Sequence, residues 1–229
     1  MEGNSRNRKP AEYGEASIRV LKGLEPVKQR PGMYTRTDNP LHIVQEVIDN
    51  ASDEVLAGFG SRIDVVLHGD GSVSVEDDGR GIPVGLHPDE GAPVVEIVFT
   101  RLHAGGKFDK RSGGAYSFSG GLHGVGVSVT NALAARLDVI VWREGKEHSL
   151  GFAGGDVVQP LAARKSEHKA TGTRVTVWPD PKYFDSPTIP VEDLVRLLRS
   201  KAVLLPGTEI SLKIEKSGRE ERWRYDGGL

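Results

Sequence analysis

The sequence predicts an α+β domain in which helices cover one face of a mixed sheet. Three observations carry that prediction. Strand-like alternation of apolar and polar residues recurs from "RIDVVLH" to "TEISLKIEK". Helical spacing breaks it at "LHIVQEVIDNASDEVLAG", "APVVEIVFTRLHAG", "HGVGVSVTNALAAR" and "PVEDLVRLLRSKAVLL". No internal repeat or shift of composition divides the chain, so a single domain is expected.

Taken in order, residues 1–16 are polar and aperiodic, which predicts a flexible arm, with the domain occupying 17–229. "KGLEPVKQRPGMY" is short, proline-bounded and turn-rich. A strong helix follows, entered between Asp38 and Leu41 through Asp/Asn-Pro and left at Gly58. "RIDVVLH" and "SVSVED" flank "GDGS" and predict a hairpin. After the helical "APVVEIVFTRLHAG", the run from Gly105 to Gly121 is almost wholly glycine, serine and charge, which predicts a long loop. "HGVGVSVTNALAAR" returns to helical spacing, "LDVIVWREG", "HSLGFAGG", "TGTRVTVWPD" and "TEISLKIEK" read as strands, and "PVEDLVRLLRSKAVLL" is a late amphipathic helix.

Composition narrows the function classes. A hydrophobic content of 37% in 229 residues supports a sizeable core. Lys and Arg number 30 against 32 Asp and Glu, so a formal charge of -2 gives no general attraction to nucleic acid or anionic lipid. Cysteine is absent, which excludes disulfides and thiolate chemistry. No apolar run reaches the roughly 18 residues of a membrane span, and the first residues lack a signal-peptide core. A cytoplasmic protein with no membrane partner is expected.

Three constellations carry chemistry. On the first strong helix, at about 100° per residue, His42, Glu46, Asp49, Asn50 and Asp53 share one polar stripe opposite Ile43, Val44, Val47, Ile48 and Ala51. A solvated face usually pairs acids with lysines, whereas this stripe has no cation of its own except a protonated His42. An amide oxygen beside carboxylates suits Mg²⁺, and Glu46 is placed to take a proton from water with His42 one turn earlier to orient it. The second is "VEDDGRGIP": Asp77 ends a strand, and Gly79 and Gly81 around Arg80 let backbone approach a flat ligand while Asp77 accepts from an amino group. A plain Asp-Gly turn is the alternative. The third, "FSGGLHGVGVSV", sets glycines before a helix N-terminus, an arrangement that binds phosphate. The glycine order is neither a dinucleotide fingerprint nor a Walker A sequence.

In this order the motifs resemble the GHKL ATPases, which comprise type II topoisomerase B subunits, Hsp90-type chaperones, sensor histidine kinases and mismatch-repair MutL proteins. "EVIDNASDE", "DDGRGIP", "GGLHGVG" and "TGT" at Thr171–Thr173 correspond to the family's four nucleotide-side motifs. "RPGMYT", "LHAGGKF" and "SGGLHGVGVSVTNAL" resemble bacterial topoisomerase B subunits in particular, and "YFDSP", "KAVLLPGTEI" and "RWRYDGGL" resemble those of topoisomerase IV more than those of gyrase. The resemblance runs from about Tyr13 to the last residue.

The resemblance implies a Bergerat two-layer sandwich with a mostly antiparallel sheet, and ATP with Mg²⁺ as cofactors. Glu46 would be the general base, His42 its hydrogen-bonded partner and Asn50 the metal ligand. Asp77 would bind the adenine amino group, helped by Thr173 through water, with Gly81, Ile82 and Pro83 along the base. Lys107, Gly121, Leu122, His123, Gly124, Val125 and Gly126 would surround the phosphates, with Tyr116 in the lid. The arm around Tyr13 and Ile18 would reach a second copy and its nucleotide, closing a homodimer on ATP binding. Asp77, Arg80, Pro83, Arg143 and Thr173 would line the aminocoumarin pocket.

The implied enzyme is an ATP-dependent type II topoisomerase, passing one DNA duplex through another with an A subunit as heterotetramer; gyrase-type supercoiling is the alternative. DNA would be held mainly by the rest of the enzyme. The lid segment is a few residues longer than the family's usual pattern. The transducer domain that supplies the family's γ-phosphate lysine does not follow, so the expectation is an N-terminal fragment of a longer subunit, weakly active alone. Two rivals are phosphotransfer of the histidine-kinase type, against which Glu46 argues, and a non-enzymatic module that binds nucleotide or metal.

Overall fold

The computed structural model describes residues 21–104, 126–168 and 170–227. Its eight strands form one sheet in the order β5-β4-β3-β6-β2-β1-β7-β8. They are β1 (Arg62–Leu67), β2 (Val73–Asp77), β3 (Ala134–Arg143), β4 (Lys146–Ala153), β5 (Asp156–Lys165), β6 (Gly172–Pro179), β7 (Glu209–Ile214) and β8 (Arg219–Trp223). Only β1 and β7 run parallel; every other neighbouring pair is antiparallel. The expected hairpin is β1–β2, with His68 and Ser72 closing the turn through a backbone hydrogen bond of 2.9 Å.

The helices are α1 (Glu25–Gln29), α2 (Leu41–Leu56), α3 (Val94–Thr100), α4 (Gly126–Ala132) and α5 (Val191–Leu204). They lie over one face, as the sequence predicts. The period-two alternation explains why: Ile63 and Val65, Val73 and Val75, Val139 and Val141, Val175 and Val177, Ile210 and Leu212 all point inward and are buried. Ile43, Val44, Val47, Ile48 and Ala51 of α2 and Leu194, Leu198 and Ala202 of α5 meet them. The opposite face carries Asp64, Ser74, Glu76, Asp138, Arg174 and Thr176 around a shallow concavity of 590 Å³.

Several elements differ from expectation. The helix read from "HGVGVSVTNALAAR" stops at Ala132, and Ala134 already pairs with Pro179; a register shift between Ala134 and Arg136 absorbs the change of direction. The turn-rich "KGLEPVKQRPGMY" contains the short α1, entered through a proline. Strands β5 and β8 had no alternation to announce them: both are rim strands, β5 almost wholly exposed and interrupted by Pro160, β8 written mostly in charge. The arm and the whole glycine-rich segment from Gly105 to Val125 lie outside the described residues. Among the described residues no helix is long and apolar enough to cross a membrane.

Candidate active site

Helix α2 forms one wall of the site. Its start is fixed by Asn39, whose side-chain oxygen accepts from the Leu41 N–H at 3.0 Å, an Asx turn that supplies one of the partners a helix N-terminus needs. Its apolar side is sealed against the sheet, so the stripe of polar residues is held in one orientation. That stripe divides. His42, Glu46 and Asn50 remain half-exposed along one line, whereas Asp49 leans to α5, where Lys201 Nζ stands 2.5 Å from its Oδ1. The contact is an ion pair and not a well-directed hydrogen bond. Asp53 is 1% exposed and engaged inside the protein. The stripe has no cation of its own but His42; Lys201 of α5, far away in sequence, supplies one from outside the helix.

Helix α4 packs beside α2, tied by Thr130 Oγ1, which donates to Ile43 O at 2.8 Å. Its first residue, Gly126, faces Glu46 so closely that a Cβ there would lie 2.0 Å from Glu46 Oε2. No other residue leaves that carboxylate in place. Gly126 thus meets the acid of α2 at the point where the two helices converge.

The second wall is the turn after β2. Asp77 ends the strand opposite Thr173 of β6 and is 7% exposed. Gly79 N–H donates to its Oδ1 at 2.9 Å. Burial pushes the Asp77 carboxyl up to about 7; the neighbouring charges of Glu54 and Asp78 add to the rise, while the N–H of Gly79 and the Thr173 backbone oppose it. Such a group exchanges its proton near neutrality and can accept from a ligand donor. Asp78 instead anchors the start of β1, its Oδ1 accepting from Ser61 and Arg62 N–H at 2.8 and 2.9 Å.

The turn is held from three sides. Gly81 has φ +76°, and a Cβ would strike Trp142 O and Val141 Cγ1 at 3.0 Å, so both handedness and space require glycine. Thr173 Oγ1 accepts from Ile82 N–H at 3.2 Å, and Arg143 Nη1 donates to Gly81 O at 2.9 Å. Arg80 forms a two-pronged pair with Glu54 of α2, at 3.1 and 3.0 Å, and its guanidinium lies 3.7 Å from the Phe59 ring centroid. Gly172 of "TGT" passes so near β2 that a Cβ would fall 2.2 Å from Asp77 O. Ile82 is half-buried and Pro83 exposed beside this turn.

The structure accordingly brings together the residues named from two distant motifs and from "TGT". Tyr13, Ile18, Lys107, Tyr116, Gly121, Leu122, His123, Gly124 and Val125 lie outside the described residues. Sequence reading missed Glu54, although it stands two turns beyond Glu46 on the same helix and Arg80 offered it a partner. It also missed Thr35, whose Oγ1 lies 2.7 Å from His42 Nδ1. Among the described residues no group of three His, Asp or Glu side chains forms a metal cage. The donor that fits Mg²⁺ is the half-exposed amide of Asn50, a single hard oxygen, which suits an ion held mainly by substrate phosphates and water.

Comparison with known proteins agrees with this geometry. Residues 35–183 match the family described as histidine kinase-, DNA gyrase B- and HSP90-like ATPase. The chain is 53% identical over 218 residues to the B subunit of DNA topoisomerase 4 from Salmonella typhimurium, covering 95% of this chain and 34% of that protein. It is 50% identical over 210 residues to the B subunit of DNA gyrase from Micrococcus luteus, covering 90% of this chain and 29% of that one. The chain thus spans about a third of the length of these curated relatives.

Among solved structures, the topoisomerase IV ATP-binding domain of Francisella tularensis with a small-molecule inhibitor superposes with a TM-score of 0.80 at 42% identity, over 92% of this chain and 56% of that one. The 43K ATPase domain of Thermus thermophilus gyrase B with an aminocoumarin gives 0.77 at 40%, over 90% and 52%.

Proposed function

Because the chain belongs to the histidine kinase-, DNA gyrase B- and HSP90-like ATPase family, we propose that it is the ATP-binding and ATP-hydrolysing domain of a topoisomerase IV B subunit. The observation that carries this reading is the buried Asp77 carboxyl in a glycine turn fastened through Glu54 to the helix that bears Glu46. Adenine recognition and water activation then sit on one rigid frame. The names of the relatives and the inhibitor-bound neighbours support the same reading.

In this reading Asp77 accepts from the adenine amino group, Thr173 assists through water, and Gly81, Ile82 and Pro83 lie along the base. Glu46 takes the proton of the attacking water, and His42 orients the Glu46 carboxylate. Asn50 holds Mg²⁺, which supplies charge stabilisation to the phosphates. Lys107, Tyr116 and the segment Gly121–Gly126 surround the phosphates. Residues 1–16 form the arm, from which Tyr13 and Ile18 reach a second copy, and residues 17–229 form the ATPase domain. ATP binding shifts the population toward a closed dimer, and the whole enzyme, with its A subunit, passes one DNA duplex through another. Asp77, Arg80, Pro83, Arg143 and Thr173 line the pocket that aminocoumarins enter.

The near-equal identity to a gyrase B subunit favours supercoiling as the second reading, and decatenation against supercoiling assays separate the two. The central test is Glu46→Ala in the full-length subunit. ATP binding should stay nearly intact while turnover is abolished; equal loss of both would remove Glu46 from the role of base.

A further inference from the structure

We propose that Thr35 is a positioning residue that fixes the tautomer of His42 and so keeps its second ring nitrogen as a donor toward Glu46. The inference rests on the reading of Glu46 as base and His42 as its partner.

The local geometry begins with proline. The turn at Pro31–Met33 is closed by Tyr34 and Thr35 N–H, both donating to Pro31 O, at 2.9 and 3.0 Å. This double anchor presents the Thr35 side chain, in a residue only 9% exposed, to the first turn of α2. There Thr35 Oγ1 lies 2.7 Å from His42 Nδ1.

The hydroxyl has one proton to give and two acceptors within reach. Arg36 O is 3.5 Å away, at the limit of a hydrogen bond, whereas His42 Nδ1 is at the ordinary distance. Nδ1–H donating to Oγ1 would fit the same distance and leave Nε2 bare; with the hydroxyl proton placed instead on this closer contact, Nδ1 is the unprotonated nitrogen of the ring. Nε2 carries the ring proton.

The consequence falls one helical turn away. His42 and Glu46 are spaced i,i+4 on α2, where side chains are neighbours. An imidazole with N–H at Nε2 donates to a carboxylate and holds its lone pairs in a set direction; the opposite tautomer presents a lone pair there and repels it. Thr35 thus acts through His42 on Glu46 without touching substrate. A partner that fixes a histidine's tautomer from behind is as much part of a base's geometry as the base itself.

A buried threonine kept only for packing would predict none of this, so the test separates the two. Thr35→Val retains shape and removes the hydroxyl; Thr35→Ser retains the hydroxyl and removes a methyl. Imidazole ¹⁵N chemical shifts of His42 in the 229-residue chain read the tautomer directly. In the full-length subunit, kcat for ATP hydrolysis should fall about threefold to tenfold in Thr35→Val with KM unchanged, the span covered by one ordinary hydrogen bond.

The parent and Thr35→Ser should share the Nε2–H signature and similar kcat, while Thr35→Val shows a mixture. An unchanged tautomer in Thr35→Val, or a Thr35→Ser variant that behaves like it, overturns the proposal at Thr35. A changed tautomer with unaltered kcat overturns it instead at the catalytic pair on which it rests.

Discussion

In the proposed reading, Asp77 sets stability against binding at a single residue. In the unfolded chain it ionises near its ordinary value of 3.8, whereas in the fold it keeps its proton until about 7. The folded state therefore loses stability as pH rises through this window, by up to about 4 kcal/mol, and the whole loss is present above pH 7. Asp77→Asn, neutral at every pH, should melt several degrees above the parent at pH 8 without ligand and converge with it near pH 4. The same variant should bind adenine nucleotide more weakly, because an amide presents a donor on one side. Melting curves at the two pH values and calorimetry with ATP check both halves; a pH-independent gap in melting temperature would contradict the first. Much at this scale was readable beforehand. Glu46 and Asn50 stood out because acids and an amide in a stripe without cations are poor self-pairing, and Asp77 because it ends a strand at a turn rich in glycine. Thr35 did not, since nothing marks one threonine as facing a histidine seven positions on until the turn at Pro31 is folded.

At the scale of elements, α2 is held by two charged ties to different parts of the fold: Glu54 to Arg80 in the turn after β2, and Asp49 to Lys201 in α5. Asp49 and Lys201 are 14% and 20% exposed, so screening by water is weak and removal of one partner leaves a nearly buried charge. Lys201→Met should cost about 2 kcal/mol in urea unfolding, and adding Asp49→Leu should recover part of it. A loss that is simply additive in the double variant would show that the pair is not coupled. These ties explain what the period of the sequence left unread. Amphipathic spacing identified α2 and α5 and their buried faces, but a pairing across about 150 residues has no local signal. For the same reason Asp49, in the stripe with Glu46, could not be separated from it by spacing alone.

The whole molecule is organised by one sheet whose middle was legible and whose rims were not. The strands read from alternation have one face under helices, and burial imposes the alternation; β5 and β8 at the ends have only slight cover and so little such pattern. The same difference should appear as graded protection in hydrogen exchange. Amides of β6, β2 and β3 should exchange slowest and those of β5 and β8 soonest; uniform protection across all strands would contradict this account. The rims have a further consequence, for the behaviour of many molecules together. An open sheet offers unpaired backbone at both ends, an invitation to fibrillar growth. Here β5 carries Pro160, Arg164 and Lys165, and β8 carries Arg219, Glu220, Glu221 and Arg222. Concentrated solutions of this chain are thereby protected from strand-upon-strand polymerisation by the two strands least visible in its sequence.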